Sequence, residues 1–179
     1  FGATAAFAGG NSYRSDCRPV VNNYRRDQAV VLVHGMGRTR LSMAPLAIAL
    51  SQAGYRVINW PYSSSDTIPV LAARLHRDLL PVAADSRVTA IHFVSHSLGG
   101  IIVRYSLVHH HLDKARRIVM LAPPNQGSSL ADTYARALSF FLAPITGLTT
   151  DSGSLVRNIP ALPPSIEVGV IAGERDDKV

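Results

Sequence analysis

The chain has 179 residues, of which 47% are hydrophobic and 17% charged, a composition typical of one folded domain and unlike that of a disordered chain. Its net charge is +6, but the arginines are dispersed and no aromatic residues interleave with them, so we expect no nucleic-acid partner. No apolar run reaches the length of about 18 residues that a membrane-spanning helix needs.

The first 28 residues are predicted to form an N-terminal extension. Residues 1–10 are small and apolar and begin without methionine, which is typical of the end of an export signal and equally of a flexible terminus. The first of these interpretations favours an exported or cell-envelope protein. Residues 11–28 are polar with scattered arginines, and we expect them to cover the surface.

The first predicted strand runs from Ala29 to Val33, a continuous apolar stretch of the kind found in strands that are buried on both faces of a parallel sheet. It ends in His34-Gly35-Met36-Gly37, where glycines let the backbone turn tightly at the carboxyl edge of the sheet. A helix follows, with Ser42 as its predicted N-cap and Gly54 as its end.

Strands and helices continue to alternate downstream. We predict a strand from Tyr55 to Trp60, a helix capped by Asp66 that runs to Val82, a strand from Val88 to Val94, a helix from Leu98 to His110, and strands from Ile118 to Ala122 and from Ile166 to Ala172. Such alternation requires crossover connections, and therefore parallel strands. The predicted fold class is α/β, a three-layer sandwich around a mostly parallel sheet.

Ser97 lies between a predicted strand and a predicted helix, in Val94-Ser95-His96-Ser97-Leu98-Gly99-Gly100. A sharp turn in this position lifts a serine hydroxyl off the sheet and aims it into solvent. Such a turn needs small residues two positions either side of the serine, and here they are Ser95 and Gly99. Ser95 stands where glycine is more usual.

These motifs resemble the lipase and esterase branch of the α/β-hydrolase family, and look most like its small bacterial members without a large cap. The resemblance rests on Ser-His-Ser-Leu-Gly-Gly, on His34 to Gly37, on Pro123-Pro124-Asn125-Gln126-Gly127-Ser128 and on the C-terminal Gly173-x-x-Asp176. It implies one hydrolase domain over residues 29–179, with an apolar flap at about residues 126–165. It also implies a serine hydrolase that cleaves carboxylic esters and needs no metal or organic cofactor.

The same resemblance implies a role for individual residues. Ser97 is the nucleophile that forms the acyl-enzyme, and the backbone N–H groups of Met36 and Leu98 form the oxyanion hole. The supporting loop and elbow consist of His34, Gly35, Gly37, His96 and Gly99.

The resemblance assigns the acid of the triad to a residue of this sequence, but it finds no histidine here for the base. The acid implied by the family motif is Asp176, with Asp177 and Glu174 as alternatives, and in the family the base histidine follows the acid. No histidine follows Asp176; the seven in the chain are at positions 34, 76, 92, 96, 109, 110 and 111, and none makes a convincing base. We therefore expect a chain truncated at its C-terminus, with the base histidine beyond residue 179.

Two alternatives share this fold. An acyltransferase would use the same nucleophile and pass the acyl group to another acceptor, whereas a non-catalytic α/β-hydrolase-fold binding protein would keep the pocket and lose the chemistry.

The apolar segment from Leu130 to Leu148 fits an acyl-binding wall or a helix that faces the core. The first interpretation favours a small-molecule or lipid ester as substrate, and it admits peripheral contact with a lipid surface. The oligomeric state stays open.

Overall fold

The computed structural model describes residues 3–7, 25–63, 65–122 and 159–173. Its elements in chain order are β1 (Ala3–Phe7), β2 (Gln28–Val33), a 3-10 helix (Arg40–Met43), α1 (Ala44–Gln52), β3 (Arg56–Asn59), α2 (Ile68–Ala84), β4 (Ala90–His96), α3 (Leu98–His109), β5 (Ala115–Leu121) and β6 (Glu167–Gly173). Within these ranges no helix has the length and apolar character to cross a membrane.

The strands form one sheet in the order β1-β6-β5-β4-β2-β3. From β6 to β3 every neighbouring pair is parallel, and β1 alone runs antiparallel, against β6. The predicted mostly parallel sheet is therefore confirmed.

Helices cover both faces of this sheet, and β2 shows why the sequence from Ala29 to Val33 is apolar throughout. Val31 and Val33 pack into the cluster that contains α2 and α3, whereas Val30 and Leu32 pack into the cluster that contains α1. Because side chains alternate along a strand, a strand covered on both faces must be apolar at every position. The three-layer sandwich predicted from the sequence is confirmed.

The starts of the first two helices differ from the prediction. Ser42 is not the N-cap of α1, because a 3-10 helix capped by Thr39 precedes it, with the Leu41 amide donating to Thr39 Oγ1 over 3.3 Å. At α2 the N-cap is Thr67, not Asp66. Both α-helices carry proline in their first two positions, where its fixed φ suits a helix start and its missing N–H costs nothing.

A strand near the N-terminus was not expected from the sequence. Residues Ala3–Phe7 pair with β6 from Ala3 opposite Gly173 to Phe7 opposite Gly169. The antiparallel pairing supplies backbone partners to β6 on the side away from β5, where that strand would otherwise present an open edge.

The carboxyl ends of the parallel strands lie at one edge of the sheet. Val33 ends β2, His96 ends β4, Leu121 ends β5 and Gly173 ends β6. The loop after β2, the turn after β4 and the segments after β5 and β6 therefore all leave from the carboxyl edge, where open α/β folds place their sites.

Candidate active site

Ser97 occupies a strained turn between β4 and α3. Its backbone lies at φ 49° and ψ −119°, a region that side chains other than glycine rarely adopt. Serine is a favoured helix N-cap, yet the Ser97 side chain makes no capping hydrogen bond to α3. The residue is partly exposed and lies outside the buried core. The sharp strand-turn-helix geometry predicted from the sequence is therefore present, with the serine at its apex.

Backbone hydrogen bonds hold this turn to the neighbouring strand. The Ser97 amide donates to the Leu121 carbonyl at the end of β5 over 3.1 Å, and the Gly100 amide donates to the Ser97 carbonyl over 2.9 Å. Leu98 is the first residue of α3, so its N–H has no partner inside the helix. This amide is one of the two proposed oxyanion donors.

Gly99 lets α3 approach the end of β2. A Cβ atom on Gly99 would lie 2.4 Å from the Val33 oxygen and 2.6 Å from the His34 oxygen, both backbone atoms. Ser95, on the other side of Ser97, is fully buried, and its Oγ would lie 3.4 Å from a Cβ on Gly100. The absence of a side chain at Gly99 is thus required by space, which agrees with the small residue that the sequence predicts at this position.

The loop after β2, which contains Gly35, Met36 and Gly37, packs directly against the turn at Ser97, here called the elbow. A Cβ atom on Gly35 would lie 2.6 Å from Nδ1 of His96 and 3.3 Å from Cβ of Ser97. Gly37 has a positive φ of 64°, and the Arg38 amide closes the turn by donating to the Gly35 carbonyl over 3.3 Å. The structure therefore brings the loop that contains Met36 next to Ser97.

His34 is buried behind that loop, with only 1% of its surface exposed. Its Nδ1 lies 2.8 Å from the Gly35 carbonyl oxygen. Because a carbonyl oxygen can only accept, Nδ1 carries the proton and donates. The other ring nitrogen, Nε2, is buried without a hydrogen-bond partner in the described part of the chain.

Tyr62 belongs to this site and was missed by the sequence analysis. Its ring stacks on His34 with centroids 4.0 Å apart and planes 12° apart, and its hydroxyl donates to the His34 carbonyl over 2.6 Å. Burial raises the pKa of the Tyr62 hydroxyl above its ordinary value, so the hydroxyl keeps its proton at neutral pH. The available signal was an aromatic residue just after a predicted strand, at the edge that carries the site.

Trp60 continues this stack behind Tyr62. The two rings lie 5.1 Å apart and 20° from parallel, and Trp60 Nε1 donates to Asp78 Oδ2 of α2 over 3.0 Å. The wall of His34, Tyr62 and Trp60 is therefore anchored to the second helix.

His96 lies beside Ser97 in the chain. Burial lowers the pKa of its imidazole, and the positive charge of Arg38 lowers this pKa further. His96 is therefore neutral at neutral pH.

The histidines on the helices lie far from Ser97. His109 ends α3, roughly 18 Å along the helix axis from its start at 1.5 Å per residue. His110 stacks on His76 with centroids 5.1 Å apart, and His109 lies against Tyr105 at 4.2 Å. The expected base beyond residue 179 therefore stays a prediction.

The predicted acid lies outside the described residues, as do its alternatives Asp177 and Glu174. The strand that leads to it ends close to the elbow, because β6 pairs in parallel with β5 and the Ala122 amide donates to the Ile171 carbonyl over 2.8 Å. The Leu121 carbonyl next to Ala122 accepts from Ser97. The chain thus leaves β6 one strand away from β5, the strand that contacts the turn at Ser97.

Most of the predicted flap at residues 126–165 also lies outside the described residues. Its described end, from residue 159, packs on the fold: Ile159 is 7% exposed within the main core cluster, and its carbonyl accepts from Arg104 of α3 over 3.4 Å. Leu162 packs against the same cluster.

A family model described as "Alpha/beta hydrolase family" matches residues 30–175. No match is found among curated proteins. The matched range contains the β2 loop, the elbow and β6.

Solved structures with a similar fold come from several bacteria. A gene product of Listeria innocua superposes with a TM-score of 0.54 at 19% identity, over 78% of this chain and 67% of its own. For an uncharacterized protein from Bacillus cereus the TM-score is 0.52 at 14% identity, over 93% and 58%. For a lipase of Bacillus licheniformis in its mature form it is 0.51 at 21% identity, over 88% and 66%. This chain thus spans between half and about two thirds of the length of such structures.

Proposed function

The chain belongs to the alpha/beta hydrolase family, and we propose that it is a serine esterase or lipase that cleaves carboxylic esters through an acyl-enzyme on Ser97. The observation that carries this proposal is the backbone of Ser97, at φ 49° and ψ −119° on the carboxyl edge of the sheet. Strained residues of this kind cost about 1–3 kcal/mol and persist where the surrounding structure enforces them, most often at functional sites.

The proposed reaction begins with attack of Ser97 Oγ on the ester carbonyl carbon. The base histidine, expected beyond residue 179, takes the hydroxyl proton, and Asp176 orients that imidazole and stabilises its positive form. The carbonyl oxygen becomes an oxyanion that accepts hydrogen bonds from the Met36 and Leu98 amides. Collapse expels the alcohol with the proton from the imidazole, and water then repeats the sequence to release the acid.

The loop geometry supports the proposed oxyanion hole. Gly35 approaches both His96 and the Cβ of Ser97, which puts the following residue, Met36, within the same corner as the nucleophile. The second donor, Leu98, starts a helix, whose N-terminal dipole also favours negative charge at this point. Donors of this type each contribute on the order of 3 kcal/mol to the transition state in related chemistry.

Two exposed apolar side chains that follow β2 in the chain support an acyl or lipid substrate. Leu41 is 74% exposed in the 3-10 helix that follows the loop, and Ile48 is 58% exposed on α1. A lipid surface could cover such side chains and leave the rest of the molecule in water. We therefore propose esters with an apolar acyl chain, reached as small molecules or at a lipid surface.

The test is turnover of a short nitrophenyl ester by the full-length protein. We expect hydrolysis by the wild type and a loss of at least about 10³-fold in kcat for Ser97→Ala. A product in which the acyl group appears on an added alcohol and not on water would identify an acyltransferase. Absence of any turnover from a folded full-length protein would favour the binding-protein alternative.

A further inference from the structure

Two consecutive peptide groups in the loop after β2 accept hydrogen bonds from the stacked pair of Tyr62 and His34. The carbonyl of the 34–35 peptide accepts from the Tyr62 hydroxyl over 2.6 Å. The carbonyl of the 35–36 peptide accepts from His34 Nδ1 over 2.8 Å. The second of these peptide groups also carries the N–H of Met36, the residue we propose as an oxyanion donor.

The orientation of the Met36 amide follows from the planarity of its peptide group. In a trans peptide the N–H points opposite to the C=O, so fixing the Gly35 carbonyl fixes the direction of the Met36 N–H. The Gly35 carbonyl is held by His34 Nδ1 and by the Arg38 amide, and the Met36 N–H therefore points away from both. Rotation of this peptide would break two hydrogen bonds at once.

The His34 carbonyl is fixed from a second direction by the helix behind the nucleophile. Its oxygen lies 2.6 Å from the position of a Cβ on Gly99, so one backbone oxygen contacts both the Tyr62 hydroxyl and the first turn of α3. Tyr62 thus binds the part of the loop that touches the helix whose first residue is Leu98. The contact between the His34 oxygen and Gly99 therefore fixes the two proposed oxyanion donors, the Met36 and Leu98 amides, relative to each other.

The His34 ring has one hydrogen bond, through Nδ1, because its Nε2 is buried and unpartnered in the described structure. Its orientation therefore depends on packing, and the near-parallel Tyr62 ring at 4.0 Å is the contact that supplies it. Tyr62 is in turn backed by Trp60, which Asp78 anchors to α2.

We propose that Tyr62 is a positioning residue for the oxyanion hole: its hydroxyl holds the 34–35 peptide, and its ring holds the imidazole that fixes the 35–36 peptide, so that the Met36 amide faces Ser97. This inference rests on the proposed function for its catalytic consequence. Its structural part, the holding of the loop by Tyr62, is independent of any activity.

Tyr62→Phe is the informative variant, since it keeps the ring on His34 and removes only the hydroxyl. Tyr55→Phe is the matched control. Tyr55 lies just before β3, at the opposite edge of the sheet from Ser97, and its hydroxyl accepts a hydrogen bond from Arg25. Each variant deletes one phenol oxygen that is engaged in one hydrogen bond.

The first measurement is the backbone ¹⁵N order parameter of Gly35 and Met36 by NMR in the full-length protein. We expect values of about 0.85 in the wild type and in Tyr55→Phe, falling toward about 0.6 in Tyr62→Phe, with Val31 of β2 unchanged in all three. Equal values for the loop in both variants would overturn the proposal. This result is obtained whether or not the protein hydrolyses esters.

The second measurement is kcat and KM for a neutral short ester. The kcat is calculated per active site, and the active sites are counted as the chains that a fluorophosphonate labels. We expect kcat to fall about tenfold in Tyr62→Phe with KM within twofold of the wild type, because the oxyanion contact forms only in the transition state. Tyr55→Phe should match the wild type. A purely structural role would lower the labelled fraction and leave kcat per labelled site unchanged, which would overturn the catalytic part. Failure of the wild type to label would count against the proposed function alone.

Discussion

The backbone oxygen of His34 lies 2.6 Å from the point where a side chain on Gly99 would begin. The loop after β2 and the helix after Ser97 therefore meet backbone to backbone. Neither can shift without moving the other, so Ser97 and the loop that contains Met36 are held as one unit.

Gly99→Ala is expected to destabilise the protein strongly. The new methyl group would meet the Val33 oxygen at 2.4 Å and the His34 oxygen at 2.6 Å, and backbone atoms cannot move aside as a flexible side chain can. We expect a loss of about 3 kcal/mol in the free energy of unfolding, measured by urea denaturation. Gly37→Ala is the control: its Cβ would meet nothing within 4 Å, so only its positive φ is costly, at roughly 1 kcal/mol. Equal losses for the two variants would contradict the close approach.

Ser97→Gly is expected to be more stable than Ser97→Ala, although both lack the proposed nucleophile. Glycine adopts φ 49°, ψ −119° without strain, which recovers about 1–3 kcal/mol, of which roughly 0.5–1 kcal/mol is offset by the greater entropy of an unfolded glycine. We expect a net difference of about 1 kcal/mol in urea denaturation. Ser51, in an ordinary helical position of α1, is the control. There the glycine variant should be less stable than the alanine variant, the opposite of the order expected at position 97. A less stable Ser97→Gly would mean that the turn is not strained.

Stability is expected to fall when the pH drops below about 6.5. Burial lowers the pKa of the His92 imidazole from its ordinary 6.5, so the unfolded chain takes up the proton first. The stabilisation from neutral His92 is complete above pH 6.5 and is lost as the pH falls from there through the lowered pKa of the folded state.

His92→Gln tests this dependence in thermal denaturation between pH 7.5 and about 5, above the range in which ordinary carboxylates titrate. The variant should show a smaller drop in Tm over this interval than the wild type does. His96 and His110 also have lowered pKa values and remain in the variant, so part of the dependence should persist. Identical pH profiles for the two proteins would show that His92 contributes nothing to it.

The proposed acid can be distinguished from its neighbour by paired substitutions in the full-length protein. We expect Asp176→Asn to lower kcat by about 10⁴-fold, because the amide leaves the base histidine in the wrong tautomer. Asp177→Asn should change kcat by less than tenfold. The reverse ranking in ester hydrolysis would move the acid one position along the chain.

Much of the fold follows from hydrophobic pattern alone, and β2 shows why. A strand covered on both faces has no polar position, so the run from Ala29 to Val33 predicts both its type and its place in the sheet. β5 begins three residues earlier than expected, at Ala115, because exposed Arg116 and Arg117 precede its apolar part. Charged side chains at the start of a strand give no apolar signal, although the backbone still pairs.

The candidate site was only partly predictable. Ser97 and Gly99 belong to one local motif, and the turn at Ser97 depends on residues near in sequence. The motif also predicts a small residue at 99, although the backbone oxygens that Gly99 approaches belong to Val33 and His34, far away in the chain. Tyr62 does not, because its role depends on a contact with His34, 28 positions away, that exists only once β2 and β3 are side by side. The pairing of Ala3–Phe7 with β6 is likewise a long-range contact that no local pattern indicates.

Covalent labelling of the full-length protein by a fluorophosphonate, with the modified residue identified by mass spectrometry, tests the central claim most directly. A hydroxyl raised on a strained turn beside two backbone donors should react, so we predict one phosphonyl group per chain, on Ser97, and none on Ser97→Ala. Labelling of another residue, or equal labelling of Ser97→Ala, would contradict the assignment of Ser97 as the nucleophile.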